Sequence, residues 1–242
     1  MRSSLVLLLL LAGGCHHYRT LEGGGVELAQ GLAAQSVADG VWVVTVDQPY
    51  PSNALVARLG AEVLLVDAPY DDVTTAAILN WVVHELGPLP SLAVTTHAHD
   101  DRSGGNAHLR AREIPIWASE LTSGRLPASL RPDESFPSGA PLQKTLGGQT
   151  FEVFFPGAGH SPDNVVVWLP GSKVLFAGCL VTGRSKLGFM GDADLDAWSG
   201  SLEKLRAYDA AKVVPGHGPV GGPELIAHTQ KLVAEERAKS RR

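Results

Sequence analysis

Long apolar runs are missing from this sequence. The run Leu5–Leu11 is far shorter than the ~20 residues a membrane-spanning helix needs. An excess of basic charge is missing too. Lys and Arg number 20 against 25 Asp and Glu, giving a net charge of -5, and no basic stripe stands out. Nucleic acid is therefore not an expected partner. Neither a short internal repeat nor a heptad pattern is visible, so a solenoid is excluded and a monomer is expected. Charged residues make up only 19% and apolar residues 44%, the composition of a globular chain with ample material for a core. Cysteine is scarce, with two in 242 residues.

The N-terminus has its own pattern. Arg2 precedes Leu5–Leu11, and Ala12, Gly13, Gly14 and Cys15 follow. A positive start, a short apolar stretch and small residues make an export signal over residues 1–15. Ending on Cys15, it resembles a bacterial lipoprotein signal, in which that cysteine carries lipid; the other reading is an ordinary cleaved signal. Either implies a periplasmic protein, and the first implies a lipid anchor at Cys15. Residues 16–36, rich in Gly and Ala, read as a flexible tether. Residues 37–242 then form one domain. If Cys15 carries lipid, Cys179 stands alone in an oxidising compartment, where an unpaired thiol is a liability. Metal ligation would account for it. The basic end, Arg237 to Arg242, suits the C-terminus of a solvated helix.

Short apolar runs alternate with helical stretches, which predicts an α/β fold. Strands are expected at 41–46, 54–59, 62–66, 92–95 and 114–118, with a loop-rich stretch from 119 to 140. A helix starts at Asp71 or Asp72 and ends at Gly87-Pro88, and residues 104–112 also look helical. The second half repeats the scheme. Strands are expected at 151–155, 165–169, 174–176 and 212–214, a helix from Asp194 or Leu195 to Tyr208, and a last helix near Pro223. Two β-then-α halves predict a four-layer αβ/βα sandwich.

The chemistry gathers at strand ends. His97-Ala98-His99-Asp100-Asp101 follows the strand containing Val94. In an extended segment alternate side chains point the same way, so His97, His99 and Asp101 are expected to converge. His160 lies after the strand 151–155, Cys179 after 174–176, and His217 in Pro215-Gly216-His217-Gly218 after Val214. Imidazole, carboxylate and thiolate are the ligands zinc accepts. A lone histidine after a strand is usually a hydrogen-bonded loop residue, but six such residues together point to metal. Three histidines make one neutral site; Asp101, Cys179 and His217 make a second, more anionic one. His84, His108 and His228 sit in expected helices, and His16 and His17 in the tether, without ligand-like neighbours. Asp67, ending the strand 62–66, has two readings: support for a ligand histidine, or a turn.

These motifs resemble the metallo-β-lactamases. The resemblance is carried by His-x-His-x-Asp at 97–101, Gly-His-Ser-Pro-Asp-Asn at 159–164, Gly178-Cys179 and Pro215-Gly216-His217-Gly218. It spans nearly all of residues 37–235 and includes the segment 187–194. Within the family the pattern is similar to the subclass with a cysteine in the second zinc site, where Arg102 also follows Asp101. Other hydrolases of the superfamily, such as glyoxalase II, have histidine and aspartate at those two positions. The resemblance implies two zinc ions per chain, the first on His97, His99 and His160 and the second on Asp101, Cys179 and His217. It implies hydrolysis of the β-lactam amide in penicillins, cephalosporins and carbapenems, with Asp101 orienting the nucleophile, Arg102 supporting the ligands, and antibiotic resistance as the outcome.

Three departures bear on substrate. The family often has a lysine three residues after the cysteine, gripping the substrate carboxylate; here it is Thr182. Arg184 or Lys186 is then expected to take that contact, beside Thr182 and Asn164. Phe189 stands where an asparagine is common, and the turn from Asp47 to Asn53 is short for a mobile flap. Those departures motivate a second reading, a related dizinc hydrolase of an ester, thioester or lactone. A third is a zinc-binding lipoprotein without activity.

Overall fold

The structure, a computed structural model, describes residues 18–240. Among these, one sheet runs in chain order through β1 (Arg19–Thr20), β2 (Val26–Ala29), β3 (Leu32–Ala38), β4 (Val41–Val46), β5 (Ser52–Leu59), β6 (Glu62–Val66), β7 (Leu92–Thr95), β8 (Ile116–Ser119) and β9 (Glu134–Phe136). The first six pair antiparallel and the last three join in parallel. The second sheet comprises β10 (Leu142–Leu146), β11 (Gln149–Phe154), β12 (Val166–Leu169), β13 (Val174–Thr182) and β14 (Lys212–His217), parallel only at its last pair.

Alternation along the strands builds the layers. In β4, Val41 and Val43 face inward, joining Leu55 and Leu64 against Phe151, Val167 and Phe176 of the other sheet. Val44 and Val46 face outward and pack with Ile78, Trp81 and Val82 of α1 (Asp72–Leu86). On the second sheet's outer face, Leu175 and Val181 meet Trp198 and Leu202 of α5 (Leu195–Lys204), and Ile226 and Val233 of α6 (Glu224–Ser240). The result is the expected αβ/βα sandwich. None of the described helices is long and apolar enough to cross a membrane.

Four local expectations change. Of the expected tether 16–36, the described residues 18–36 are folded: β1, β2 and most of β3 lie there, with Leu32 and Ala34 buried. Their glycines serve as turns, since Gly23, Gly24 and Gly31 have φ of 91°, 85° and 73°. The stretch 119–140 contains α4 (Glu120–Arg125) and β9. The helix expected over 104–112 divides into α2 (Asp100–Ser103) and α3 (Asn106–Ala111) at Gly104-Gly105. Strand β10 escaped the sequence reading altogether. The export signal with Cys15, the residues His16 and His17, and the last two arginines lie outside the described residues. Asp71, not Asp72, caps α1; its carboxylate accepts from the Thr74 N–H at 2.7 Å.

Candidate metal centre

The six side chains meet at one end of the sandwich, where β7, β11, β13 and β14 run out. His97 and His99 leave β7 in an extended segment, but Asp101 already sits in the first turn of α2. The convergence therefore comes from a strand-to-helix turn rather than from alternation alone. Cys179 does not follow its strand but lies within β13, which is longer than the apolar run suggests. A register shift at Gly178, whose φ is 51°, aims the thiol toward the cleft. Gly216 on neighbouring β14 leaves room for it: a Cβ there would lie 2.6 Å from the Cys179 sulfur.

The donor spacings are those of a tetrahedral cage. Nδ1 of His99 is 3.1 Å from Nε2 of His97 and 3.2 Å from Nε2 of His160. Next to them, Oδ2 of Asp101 is 3.2 Å from Nε2 of His217 and 3.5 Å from the Cys179 sulfur, which is 3.3 Å from the same His217 nitrogen. Zinc–nitrogen bonds of ~2.0–2.1 Å in a tetrahedron put two nitrogens about 3.3 Å apart, and a sulfur ligand slightly further. The two sets interlock, for His97 and His160 also lie within 4.8 Å of the Cys179 sulfur, and His97 and His99 of Asp101.

Electrostatics supports the same reading. Burial holds the His97 and His160 pKa values well below the usual range, the second at about 3, so both rings are neutral and able to ligate. Burial pushes the Cys179 thiol well up, although Arg102 pulls the other way. Burial also opposes ionisation of Asp101, but Arg102 and the hydrogen bond from His217 outweigh it and hold the carboxyl well below its ordinary value.

Arg102 is the floor of the second cage. It is fully buried, and its Nη2 donates to the Cys179 sulfur at 3.0 Å and to the Gly216 carbonyl at 2.8 Å, and pairs with Asp101 at 2.9 Å. Nη1 donates to the Asn53 carbonyl and approaches Asp67 at 3.4 Å. Asp67 supports the site indirectly. It accepts from the Thr96 amide at 2.8 Å and hydroxyl at 2.9 Å, fixing the residue before His97 rather than a ligand ring. Its burial raises its pKa to about 7 against the pull of Arg102 and Thr96.

Residues away from the ligand motifs hold two of the imidazoles by their far nitrogens. Nδ1 of His217 donates to the Pro51 carbonyl at 2.5 Å, and Nε2 of His99 faces Asp192 at 3.0 Å. Such partners fix tautomer and ring orientation. Asn53 donates to the carbonyls of Pro215 and Gly218, on either side of His217. None of these was marked by spacing. Asp192 and Pro51 are distant in the chain from what they support.

The expected substrate contacts separate. Above the metal cages lies a cleft of about 690 Å³ whose lining includes Tyr50, Tyr70, Arg184 and Phe189. Arg184 is therefore at the cleft, whereas exposed Lys186 is not part of its lining. Thr182 is turned away: it is buried, its N–H bonds Thr229 and its hydroxyl accepts from the Arg184 N–H at 3.1 Å. Asn164 is also turned inward, accepting from the Ser161 N–H and donating to the Gly157 carbonyl. Neither is placed to touch a substrate. Polar strand ends hold them because each satisfies a backbone group that would otherwise be buried unpaired. His84, His108 and His228 are away from the cages, and Nε2 of His228 donates to the Arg184 carbonyl at 2.8 Å.

An αβ/βα sandwich with two adjoining N/O/S cages at its strand ends defines a metal-dependent hydrolase. The family model for the metallo-beta-lactamase superfamily matches residues 47–217. The chain belongs to that superfamily. It is 34% identical over 192 residues to the metallo-beta-lactamase type 2 of Bacteroides fragilis, covering 76% of this chain and 75% of the relative. With the type 2 enzyme of Pseudomonas aeruginosa it shares 36% over 206 residues, 82% of each. Among solved structures, the metallo-beta-lactamase from Pontibacter korlensis superposes with a TM-score of 0.78 at 34% identity, over 84% of this chain and 99% of that one. FIM-1 from Pseudomonas aeruginosa, in a mono-zinc form, gives 0.76 at 33% identity over 85% and 96%.

Proposed function

We propose that this chain is a zinc-dependent β-lactamase that holds two zinc ions and hydrolyses the amide bond of penicillins, cephalosporins and carbapenems. The observation that carries this is the pair of donor sets at tetrahedral spacing, one of three histidines and one of Asp101, Cys179 and His217. When bound there, zinc supplies Lewis acidity toward the lactam carbonyl and brings the pKa of water toward ~7, so that hydroxide is available at neutral pH.

The chain's own residues do the rest. His97 and His160 stay neutral because they are buried, leaving their lone pairs for metal, and Asp192 holds the far nitrogen of His99 so that its Nδ1 faces the same point. Asp101, ionised beside Arg102, orients the attacking water with its carboxylate. Water adds to the carbonyl carbon, the C–N bond breaks, and the ring nitrogen takes up a proton to give the ring-opened amino acid. Arg184, at the cleft, is the cation for the substrate carboxylate. Tyr70 closes the opposite wall: its hydroxyl donates to the Tyr50 carbonyl at 2.5 Å, tying the short turn between β4 and β5 to the body.

The protein acts as a monomer in the periplasm, exported by residues 1–15 and anchored through lipid on Cys15. It serves antibiotic resistance and takes no nucleic-acid partner. The test is hydrolysis of a penicillin, a cephalosporin and a carbapenem, with metal content measured in parallel. Turnover of at least one, abolished by a chelator and restored by zinc, is expected, with two zinc ions per chain. Metal-loaded protein that leaves all three intact while cleaving a lactone or thioester would overturn it.

A further inference from the structure

Arg125 ends α4, in the stretch expected to be loop, and no motif marks it. Its guanidinium lies between two carboxylates. Nε is 3.4 Å from Oδ1 of Asp163, and Nη2 bonds Oδ2 of Asp192. Those two acids reach different strands of the metal site. Oδ2 of Asp163 accepts from the Ala98 N–H at 2.9 Å, the amide between His97 and His99, and Oδ1 accepts from the hydroxyl of Ser161, next to His160. Asp192 holds Nε2 of His99 at 3.0 Å.

One cation thus joins the two segments that deliver the three-histidine cage, 97–99 and 160–163, to the loop whose Asp192 holds His99. Asp163 is fully buried, and among the described residues the cation paired with it is Arg125. Asp192 lies on the exposed loop between β13 and α5, held by His99 and Arg125. The arginine itself is held in place. Ser119 caps its helix by accepting from the Thr122 N–H, and Leu126 beside it is buried. A planar fork reaches two carboxylates at once, which an ammonium on a flexible stem does not.

We propose that Arg125 is a positioning residue for the first metal site, setting the angle of His99 through Asp192 and the spacing of His97 and His99 through Asp163. This rests on the metal reading above. The Asp192 pair is partly exposed and contributes little to global stability. Asp163 is buried, so losing its cation costs folding stability as well as ligand geometry, and Asp192→Asn is the variant that separates the two. The second cage, built on Arg102, does not share this clamp.

The experiment uses the mature chain with Arg125→Ala, Arg125→Lys and Asp192→Asn, titrated with cobalt(II). Ligand-field bands report the three-histidine site; the thiolate-to-cobalt charge-transfer band reports the Cys179 site. We expect Arg125→Ala to lose about 10- to 100-fold in first-site affinity, as loss of an outer partner typically does, with altered ligand-field bands. The charge-transfer titration stays at the wild-type value in all three variants, Arg125→Lys recovers only part, and Asp192→Asn loses first-site affinity while the metal-free protein melts as the wild type does. Wild-type titrations in all three variants would overturn the proposal. So would a parallel loss at both sites with lowered melting of the metal-free form. A wild-type protein that takes up no cobalt would instead count against the metal reading itself.

Discussion

The Arg102 guanidinium sits 3.0 Å from the sulfur of Cys179, with the Asp101 carboxylate 2.9 Å from the same Nη2 nitrogen. The second cage collects two anions when its thiol is ionised, and this buried cation offsets them before any metal arrives.

Arg102→Ala is therefore expected to be severe. It strips a buried partner from Asp101 and Asp67 and leaves the carbonyls of Asn53 and Gly216 without their donor. Breaking a buried pair by removing one member costs about 3–5 kcal/mol. Urea unfolding of the metal-free protein measures it. Arg102→Lys should recover only a fraction, because one ammonium cannot reach both sides of the site. Stability equal to wild type in the alanine variant would refute the account.

Metal uptake should release protons unequally. His97 and His160 are neutral at pH 7, so these two ligands of the first site release almost no proton on binding. Cys179, pushed up by burial, must give up its proton to ligate. Calorimetry in buffers of different ionisation enthalpy should find about one proton released with the second metal, and second-site affinity rising about tenfold per pH unit near neutrality. Equal release in both steps would contradict the assignment.

Chelator-treated protein should lose stability in acid. The folded pKa of His160 is about 3, against an ordinary value near 6.5. Between those values the unfolded chain binds more protons, so stability falls as pH drops from about 6.5 toward 3. Asp67 acts in the opposite sense: its folded value of about 7 exceeds the ordinary 3.8, so its contribution fades as pH rises through that window. Comparison of wild type with His160→Gln isolates the histidine. The variant's urea midpoint should vary less between pH 7 and pH 5, and an unchanged slope would sink the claim.

The first cage and most of the strands were legible because they write local signals. Val41–Val46 is a short run rich in valine, and His97 and His217 each come three residues after the apolar runs ending at Val94 and Val214. What failed has a physical reason in each case. Gly23, Gly24 and Gly31 looked like linker composition because turn residues of a small-residue meander are the same residues that make linkers flexible. The bulge at Gly178 is invisible in a pattern of hydrophobicity, so the reach of β13 to Thr182 was missed. The contacts of Arg125 with Asp163 and Asp192, and of those acids with Ala98 and His99, span 38 to 93 positions of chain, and no local spacing encodes a contact at that distance.

Arg184 is the last point on which sequence and structure part. By position in the motif Thr182 would meet the substrate, but its hydroxyl is spent on the Arg184 N–H and its amide on Thr229, which anchors α6 to the loop. Arg184, two residues on, lines the cleft beside Phe189 and His217. A charge-assisted bond from its guanidinium to a substrate carboxylate contributes ~1.5–3 kcal/mol, so Arg184→Ala should raise KM about 10- to 150-fold with kcat nearly unchanged. Lys186→Ala, outside the cleft lining, should leave KM within about twofold, since exposed substitutions away from such contacts are nearly neutral. A substrate whose carboxylate is masked as an ester separates this from a structural effect. Wild type and Arg184→Ala should then hydrolyse it with similar KM, because the contact is absent from both. A tenfold gap that persists with the ester would assign Arg184 to shaping the loop instead.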